Sequence, residues 1–271
     1  MERIQSAIAK ARESRESEPK RSDQGRRPPA EVAPPRDEAW AAIPAVELDR
    51  RLLKENRIVA LGGGAEATAF DILRTRTVQQ MRPKSWKRLA ITSPTPGCGK
   101  SMIAANLALS LARQPETSAI VVEMDMRRPA LAQTLGLNVR HSVADLMSGH
   151  GEMKDNAVRV GNNLIFATSQ TPAQNPSDLL QSASIGQFLA DLDARFDPTF
   201  IIFDTPPLLV NDDTLAFLGH VDCALLVAGA ETTSIKEVDR CEREIAAHTD
   251  VLGVILNKCR YMSGENPGEY Y

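Results

Sequence analysis

Residues 92–101, TSPTPGCGKS, carry the spacing Gly-x-Gly-Lys-Ser, which is built for holding phosphate. Gly97 and Gly99 have no Cβ, so the backbone can wrap close to an anion and turn its N–H groups inward. Lys100 offers a positive charge to the β- and γ-phosphates of a nucleotide, and the Ser101 hydroxyl offers a ligand to Mg²⁺. Met102 follows and completes the stretch expected to line the nucleotide. Cys98, inside the loop, reads either as a filler turned away from phosphate or as a thiol activated at a helix N-terminus.

Two acidic strand ends accompany the loop. In AIVVEMDMRRPAL, Glu123 and Asp125 close an apolar run and are followed by Arg127 and Arg128; in TFIIFDTPPLL, Asp204 closes another. A phosphate-bound Mg²⁺ takes one or two carboxylates, which leaves one to accept a proton. Asp125 and Asp204 each precede a turn as well, so helix capping competes with metal binding, and for Asp204 the two roles are compatible.

The elements that must position these residues alternate. Strands are expected at 88–92, 119–124, 164–167, 200–204, 223–228 and 251–256, with helices at 100–113, 129–135, 143–147, 176–194, 212–218 and 234–247. The strands are continuous apolar runs, the mark of a mostly parallel sheet covered by helices on both faces, and hence an α/β fold. Ligands of such sheets bind outside the carboxyl ends of the strands, so all three carboxylates converge on the glycine loop. Upstream, Phe70, Leu73 and Val78 mark one face of a helix that starts near Ala65 and ends before Pro83. Residues 39–53 read as a semi-ordered strap. Residues 17–39, rich in Pro, Arg and acids, cannot bury a core and read as a disordered linker. Residues 2–16 carry Ile4, Ala7, Ile8 and Ala11 at helical spacing, for a short helix that is either solvated or docks on something. The expected organisation is this short helix, the linker, a domain over 40–260 and a flexible tail over 261–271.

The bulk numbers narrow the class. A 271-residue chain with 42% hydrophobic and 25% charged residues has an ordinary soluble composition. Its net charge of -3 gives no case for nucleic acid as a partner. The four cysteines show no CxxC spacing, which favours a reduced, cytoplasmic chain. No apolar run reaches the 18 or so residues that a membrane span requires, and the charged N-terminus does not read as a secretory signal, so a membrane role would need a partner. All three tyrosines, Tyr261, Tyr270 and Tyr271, fall in the last eleven residues. From Lys258 an extended chain reaches roughly 40 Å, far enough to offer them to a neighbouring subunit; the alternative is an incidental aromatic tail.

Together, GCGKS, VVEMDMRRP and IIFDTPP resemble the Walker A, A′ and B motifs of the bacterial tyrosine kinases. These are the cytoplasmic kinases of capsule and exopolysaccharide assembly, in the P-loop ATPase group that also contains MinD- and ParA-like proteins. The resemblance covers residues 65–271, and the opening MERIQSAIAKARESR is similar to starts in exopolysaccharide-associated members. It implies a P-loop fold with ATP and Mg²⁺ as cofactors. Lys100 and Ser101 would hold phosphate and metal, and Asp125 and Asp204 would hold Mg²⁺ directly or through water. Glu123 or Asp125 would lie near the acceptor tyrosine hydroxyl, with Arg127 as the A′ arginine. Asn257 would border the adenine, or simply cap its strand. It further implies tail tyrosines as phosphoacceptors, a homo-oligomer, a membrane polysaccharide co-polymerase that recruits and activates the chain at the inner face of the membrane, and a cognate tyrosine phosphatase.

The sequence departs from the family at three places. Glu123 stands where the first A′ acid is usually Asp. Thr68, Asp71 and Arg74 stand where a Glu-x-x-Arg-x-x-Arg oligomerisation pattern is common. The tail is sparse in tyrosine. Thr95 and Pro96 stand where the related switch-type ATPases carry an early lysine. The resemblance, with these departures, implies one of two functions: an ATP-dependent tyrosine autokinase, or an ATP-driven regulatory switch or scaffold for polysaccharide machinery.

Overall fold

The structure is a computed structural model that describes residues 38–259. The expected N-terminal helix, the linker up to residue 37 and the three tail tyrosines lie outside the described residues. Among the described residues seven strands form one sheet: β1 (Arg88–Thr92), β2 (Ala119–Glu123), β3 (Ala157–Val160), β4 (Leu164–Ala167), β5 (Phe200–Asp204), β6 (Cys223–Gly229) and β7 (Asp250–Asn257). Their order is β3-β4-β2-β5-β1-β6-β7, and every pairing is parallel except β3 with β4. All residues of β2, β4, β5 and β6 are buried, which is why they read as unbroken apolar runs.

Successive residues of each strand point to opposite faces. Ile120 and Val122 join one core with Ile165 and Phe203, whereas Val121 joins the other with Phe166 and Ile202. The second core is closed by α3 (Thr68–Met81) and α4 (Lys100–Ala112), the first by α6 (Val143–Met147), α9 (Ser184–Phe196) and α10 (Asp213–Leu218). The remaining helices are α1 (Glu38–Ala41), α2 (Arg50–Glu55), α5 (Leu131–Leu135), α7 (Met153–Asn156), α8 (Pro176–Leu180) and α11 (Ile235–Ala246). Register places Ile91 and Glu123 on either side of Asp204, so the chemistry-bearing strand ends finish at one level.

Three expectations need correction. The strap over 39–53 is ordered: Trp40 is buried, its Nε1 donates to Phe196 O at 2.8 Å, and the two rings meet edge to face. Residues 38 and 39, assigned to the linker, already belong to α1. Residues 176–194 form two helices, because Ser182 Oγ donates to Leu179 O at 2.7 Å and meets Ser184 Oγ at 2.6 Å, offering the backbone an alternative to helix at the break. Strand β3 was not expected. It is a four-residue edge strand, too short for its alternation to register, and residues 44–46 cover it through Val46 N to Arg159 O and Arg159 N to Pro44 O.

Candidate active site

β1 runs into the glycine loop and α4 starts at Lys100, so the loop's amides sit at a helix N-terminus where the dipole favours anions. Gly97 and Gly99 have φ of 82° and 96°, in the left-handed region. A Cβ on Gly99 would also stand 2.3 Å from Asn257 Nδ2, which donates to Cys98 O at 2.8 Å. Asn257 thus braces the loop from the end of β7 while also lining the cleft. Gly99→Ala is expected to lower stability by about 2 kcal/mol or more, from left-handed strain plus displacement of Asn257. Gly97→Ala, with open space around its Cβ, should lose only the strain. Denaturant midpoints of the two variants check the difference.

Cys98 turns inward. Its Sγ lies 3.3 Å from Thr95 O and 3.6 Å from Thr233 Oγ1, and the residue is buried. Burial pushes the thiol up, but the hydrogen bonds from Thr233 and Thr95 more than offset it, leaving it below the usual range. The loop offers its backbone, not this side chain, to the cleft.

Lys100 Nζ sits 2.8 Å from Asp125 Oδ2, with both side chains largely buried. Burial alone would lower the lysine, but the charges of Asp204 and Asp125 hold it above its ordinary value. Asp204 is fully buried, and neither of its oxygens has a hydrogen-bond partner among the described residues. Burial pushes its carboxyl up, and the Lys100 charge pulls it back. The Ser101 hydroxyl also eases the charge, without closing a hydrogen bond of ordinary geometry. Two orphaned carboxylate oxygens beside a hydroxyl are a set of hard oxygen donors, and they fit Mg²⁺ or its water shell. The two strand ends are locked together, since Met124 N and Asp125 N both donate to Asp204 O at 2.9 and 3.1 Å.

Glu123, expected near the acceptor hydroxyl, is instead part of the scaffold. Its Oε1 accepts from Ala130 N and Leu131 N at 2.6 Å each, and Oε2 accepts from Ser169 N at 2.7 Å. The extra methylene relative to Asp lets it reach these amides, and the residue is fully buried outside the cleft lining. Burial, resisted by those hydrogen bonds, raises its carboxyl from 4.5 to about 7. A folded-state pKa above the unfolded one means that the folded chain keeps a proton the unfolded chain has lost. The Glu123 contribution is therefore present below pH 4.5 and is lost as pH rises to about 7, amounting to about 3 kcal/mol. Glu123→Gln should flatten this part of a stability–pH curve, while costing about 1–3 kcal/mol because an amide NH₂ would face the Ser169 N–H. Denaturation midpoints from pH 4.5 to 8 test both.

Arg127 is paired. Its Nε donates to Asp213 Oδ2 at 2.6 Å, and its Nη2 donates both to Asp213 Oδ1 at 3.0 Å and to Ser177 Oγ at 2.8 Å. Ser177 Oγ also hydrogen-bonds Asp213. This fork ties the A′ loop to α8 and α10, and the fully buried Asp213 is its anchor. The sequence reading missed Asp213 and Ser177, which stand 86 and 50 positions away from Arg127 with no motif to mark them.

These groups surround a cleft of about 490 Å³. Gly97, Lys100, Ser101, Asp125 and Arg127 form one part of its wall and Asn257 another. Asp204 lies beneath this wall, and Cys98 and Glu123 are outside it.

Comparison with known proteins places this geometry. The ParA family model, described as NUBPL iron-transfer P-loop NTPase, matches residues 85–270. AmsA of Erwinia amylovora is 31% identical over 227 residues, covering 82% of this chain and 31% of AmsA. CapB of Staphylococcus aureus is 30% identical over 175 residues, covering 64% of this chain and 75% of CapB. Both carry the name putative tyrosine-protein kinase. The kinase domain of the Escherichia coli tyrosine kinase ETK superposes with a TM-score of 0.66 at 26% identity, covering 75% of this chain and 80% of that one. The chain spans about a third of the length of AmsA.

Proposed function

The chain belongs to the P-loop NTPase family of the ParA-type ATPases and the bacterial tyrosine kinases, and on that footing we propose that it is an ATP-dependent protein-tyrosine kinase whose acceptors are Tyr261, Tyr270 and Tyr271. The observation that carries the reading is the convergence of Lys100, Asp125 and the orphaned carboxylate of Asp204 on one phosphate-sized loop. The cleft also continues past the loop to Pro207, Val210 and Asn211, which leaves room for a polypeptide acceptor beside the phosphates.

The residues divide the work. The amides of the glycine loop and Lys100 hold the phosphates of ATP. Ser101 and Asp204 would hold Mg²⁺, with Asp125 directly or through water; the metal, when bound, neutralises charge on the β- and γ-phosphates. Asp125 is released from Lys100 once that ammonium turns to phosphate, and its carboxylate then orients the tyrosine hydroxyl and takes its proton. The phenolic oxygen forms the new bond to the γ-phosphorus as the bond to the β–γ bridging oxygen breaks, and ADP leaves. Arg127, held by Asp213 and Ser177, keeps a cation at the wall of the cleft. Such catalysis is positioning plus electrostatics.

The same reading assigns the chain to exopolysaccharide or capsule assembly, as a homo-oligomer recruited to the inner face of the membrane by a polysaccharide co-polymerase and reset by a tyrosine phosphatase. Among the described residues no helix is long and apolar enough to cross a membrane, which fits recruitment by a partner. The test is incubation with Mg-ATP, with and without the co-polymerase's cytoplasmic segment, followed by mass spectrometry of the tail. Phosphate on Tyr261, Tyr270 or Tyr271 that vanishes in Lys100→Ala supports the kinase. ATP hydrolysis without phosphotyrosine, even with the activator, would make the protein a switch-type ATPase. The enclosure of Glu123 favours that second reading, because it removes one of the two expected proton acceptors.

A further inference from the structure

Helix α2 ends in a Schellman turn: Ile58 N donates to Leu53 O at 2.8 Å and Arg57 N to Lys54 O at 3.0 Å. The residue at the crossing point of such a turn adopts left-handed φ, and glycine is the residue that does so without strain. Here it is Arg57, at φ 61°. An arginine at this position gains nothing for the turn, and strain kept in place of glycine points to a use for the side chain.

The surroundings hold Arg57 firmly. Asn106, fully buried on α4, receives Val59 N and Ala60 N on Oδ1 at 2.8 and 3.0 Å and donates Nδ2 to Arg57 O at 3.0 Å. Asn56 Nδ2 donates to Thr134 O at 3.0 Å. The backbone around Arg57 is thus bolted to the helix that begins at Lys100 and to the end of α5. The guanidinium itself has no hydrogen bond or ion pair among the described residues, and Arg57 lines the same cleft as Lys100 and Ser101.

Charge balance supplies the occupant. A nucleotide brings several negative charges, whereas the Lys100 ammonium already faces Asp125 and Asp204. Beyond Lys100 and the paired Arg127 the cleft lining carries Arg57, Arg128 and Lys258, and a guanidinium such as that of Arg57 offers five donors and no acceptor, a match for phosphate oxygens.

We propose that Arg57 is a nucleotide-binding residue: the strap preceding the sheet delivers its guanidinium to the phosphates of the nucleotide held by the glycine loop. This rests on the nucleotide-binding part of the kinase reading.

The test is titration of the full chain with Mg-ADP and, separately, with adenosine, for wild type, Arg57→Gly and Arg57→Lys, alongside denaturant midpoints. Arg57→Gly should bind ADP about tenfold more weakly and adenosine as wild type does, since one charge-assisted contact is lost. Its midpoint should rise, because glycine relieves the turn. Arg57→Lys should recover part of the ADP affinity. ADP binding by Arg57→Gly within twofold of a wild type that binds would overturn the assignment and leave the kinase reading standing. An equal loss for adenosine would overturn the phosphate contact in favour of the base. A wild type that binds neither ligand would sink both.

Discussion

Lys100→Met should reduce tyrosine phosphorylation by at least about 10²–10³-fold while leaving a folded protein. The magnitude follows from what a single preorganised donor contributes at a site of developing charge, about 3–4 kcal/mol in a water-poor cleft. Lys100 is placed for this, because it is the first residue of α4, is largely buried at the loop, and has only to turn from Asp125 to the phosphate. The loss should appear in the chemical step, so single-turnover transfer with saturating Mg-ATP is the measurement, with folded fraction confirmed by circular dichroism. The substitution has a second consequence. Lys100 is the charge that pulls the buried Asp204 carboxyl back toward ionisation. Without it that carboxyl rises further above its unfolded value, and a carboxyl so raised loses its contribution as pH rises through the folded pKa. The variant should therefore resemble wild type in acid and fall behind it toward neutral pH. A Lys100→Met protein that transfers phosphate at more than a tenth of the wild-type rate would show that the transfer does not use this loop.

The sequence exposed the parts of this site that stereochemistry constrains locally. Gly97 and Gly99 are needed because of their φ angles, and a glycine-rich loop between an apolar strand and an apolar helix, buried from Ile103 to Leu111, can be read from neighbours alone. Parallel strands buried on both faces were equally legible, and the register of β2 and β5 brings Glu123 and Asp204 level as expected. What the strand end could not disclose was the direction of a side chain. Glu123 and Asp125 are two residues apart and share a face of the chain, yet one binds three backbone amides in the interior and the other meets Lys100. The Arg127–Asp213 fork and the Asn106 clamp join segments 86 and 46–49 positions apart, with no periodicity to announce them. The strap failed for a different reason: Trp40 and Ile43 are too few apolar residues to show a pattern, but each is almost wholly buried once the helices around Phe196 are in place.

Asp204→Asn should move stability and activity in opposite directions. Wild type keeps a fully buried carboxylate whose two oxygens have no hydrogen-bond partner among the described residues. A buried charge without hydrogen bonds costs more than a buried amide of the same shape, and the net upward push on the Asp204 carboxyl shows that Lys100 offsets only part of that cost. Lys100 loses one attraction in the variant but retains its contact with Asp125. The net expectation at pH 7 is a gain of about 1–3 kcal/mol. That gain has a required pH dependence. Burial raises the Asp204 carboxyl, so in acid wild type is protonated there and bears no penalty, and the advantage of Asn must shrink as pH falls through the folded pKa. Phosphoryl transfer should fall by at least about 10²-fold, because one of the two oxygens and the negative charge that fit Mg²⁺ are lost. The stabilisation that Mg²⁺ adds to an ADP-bound protein, read as a shift in thermal midpoint, should shrink with it. Both signs come from one cause: the two Asp204 oxygens have no protein partner among the described residues, as donors for a cation would. An Asp204→Asn protein that is less stable than wild type at pH 7 would mean that the carboxylate is compensated before any cation arrives, and the case for Asp204 as a metal residue would lose its structural basis.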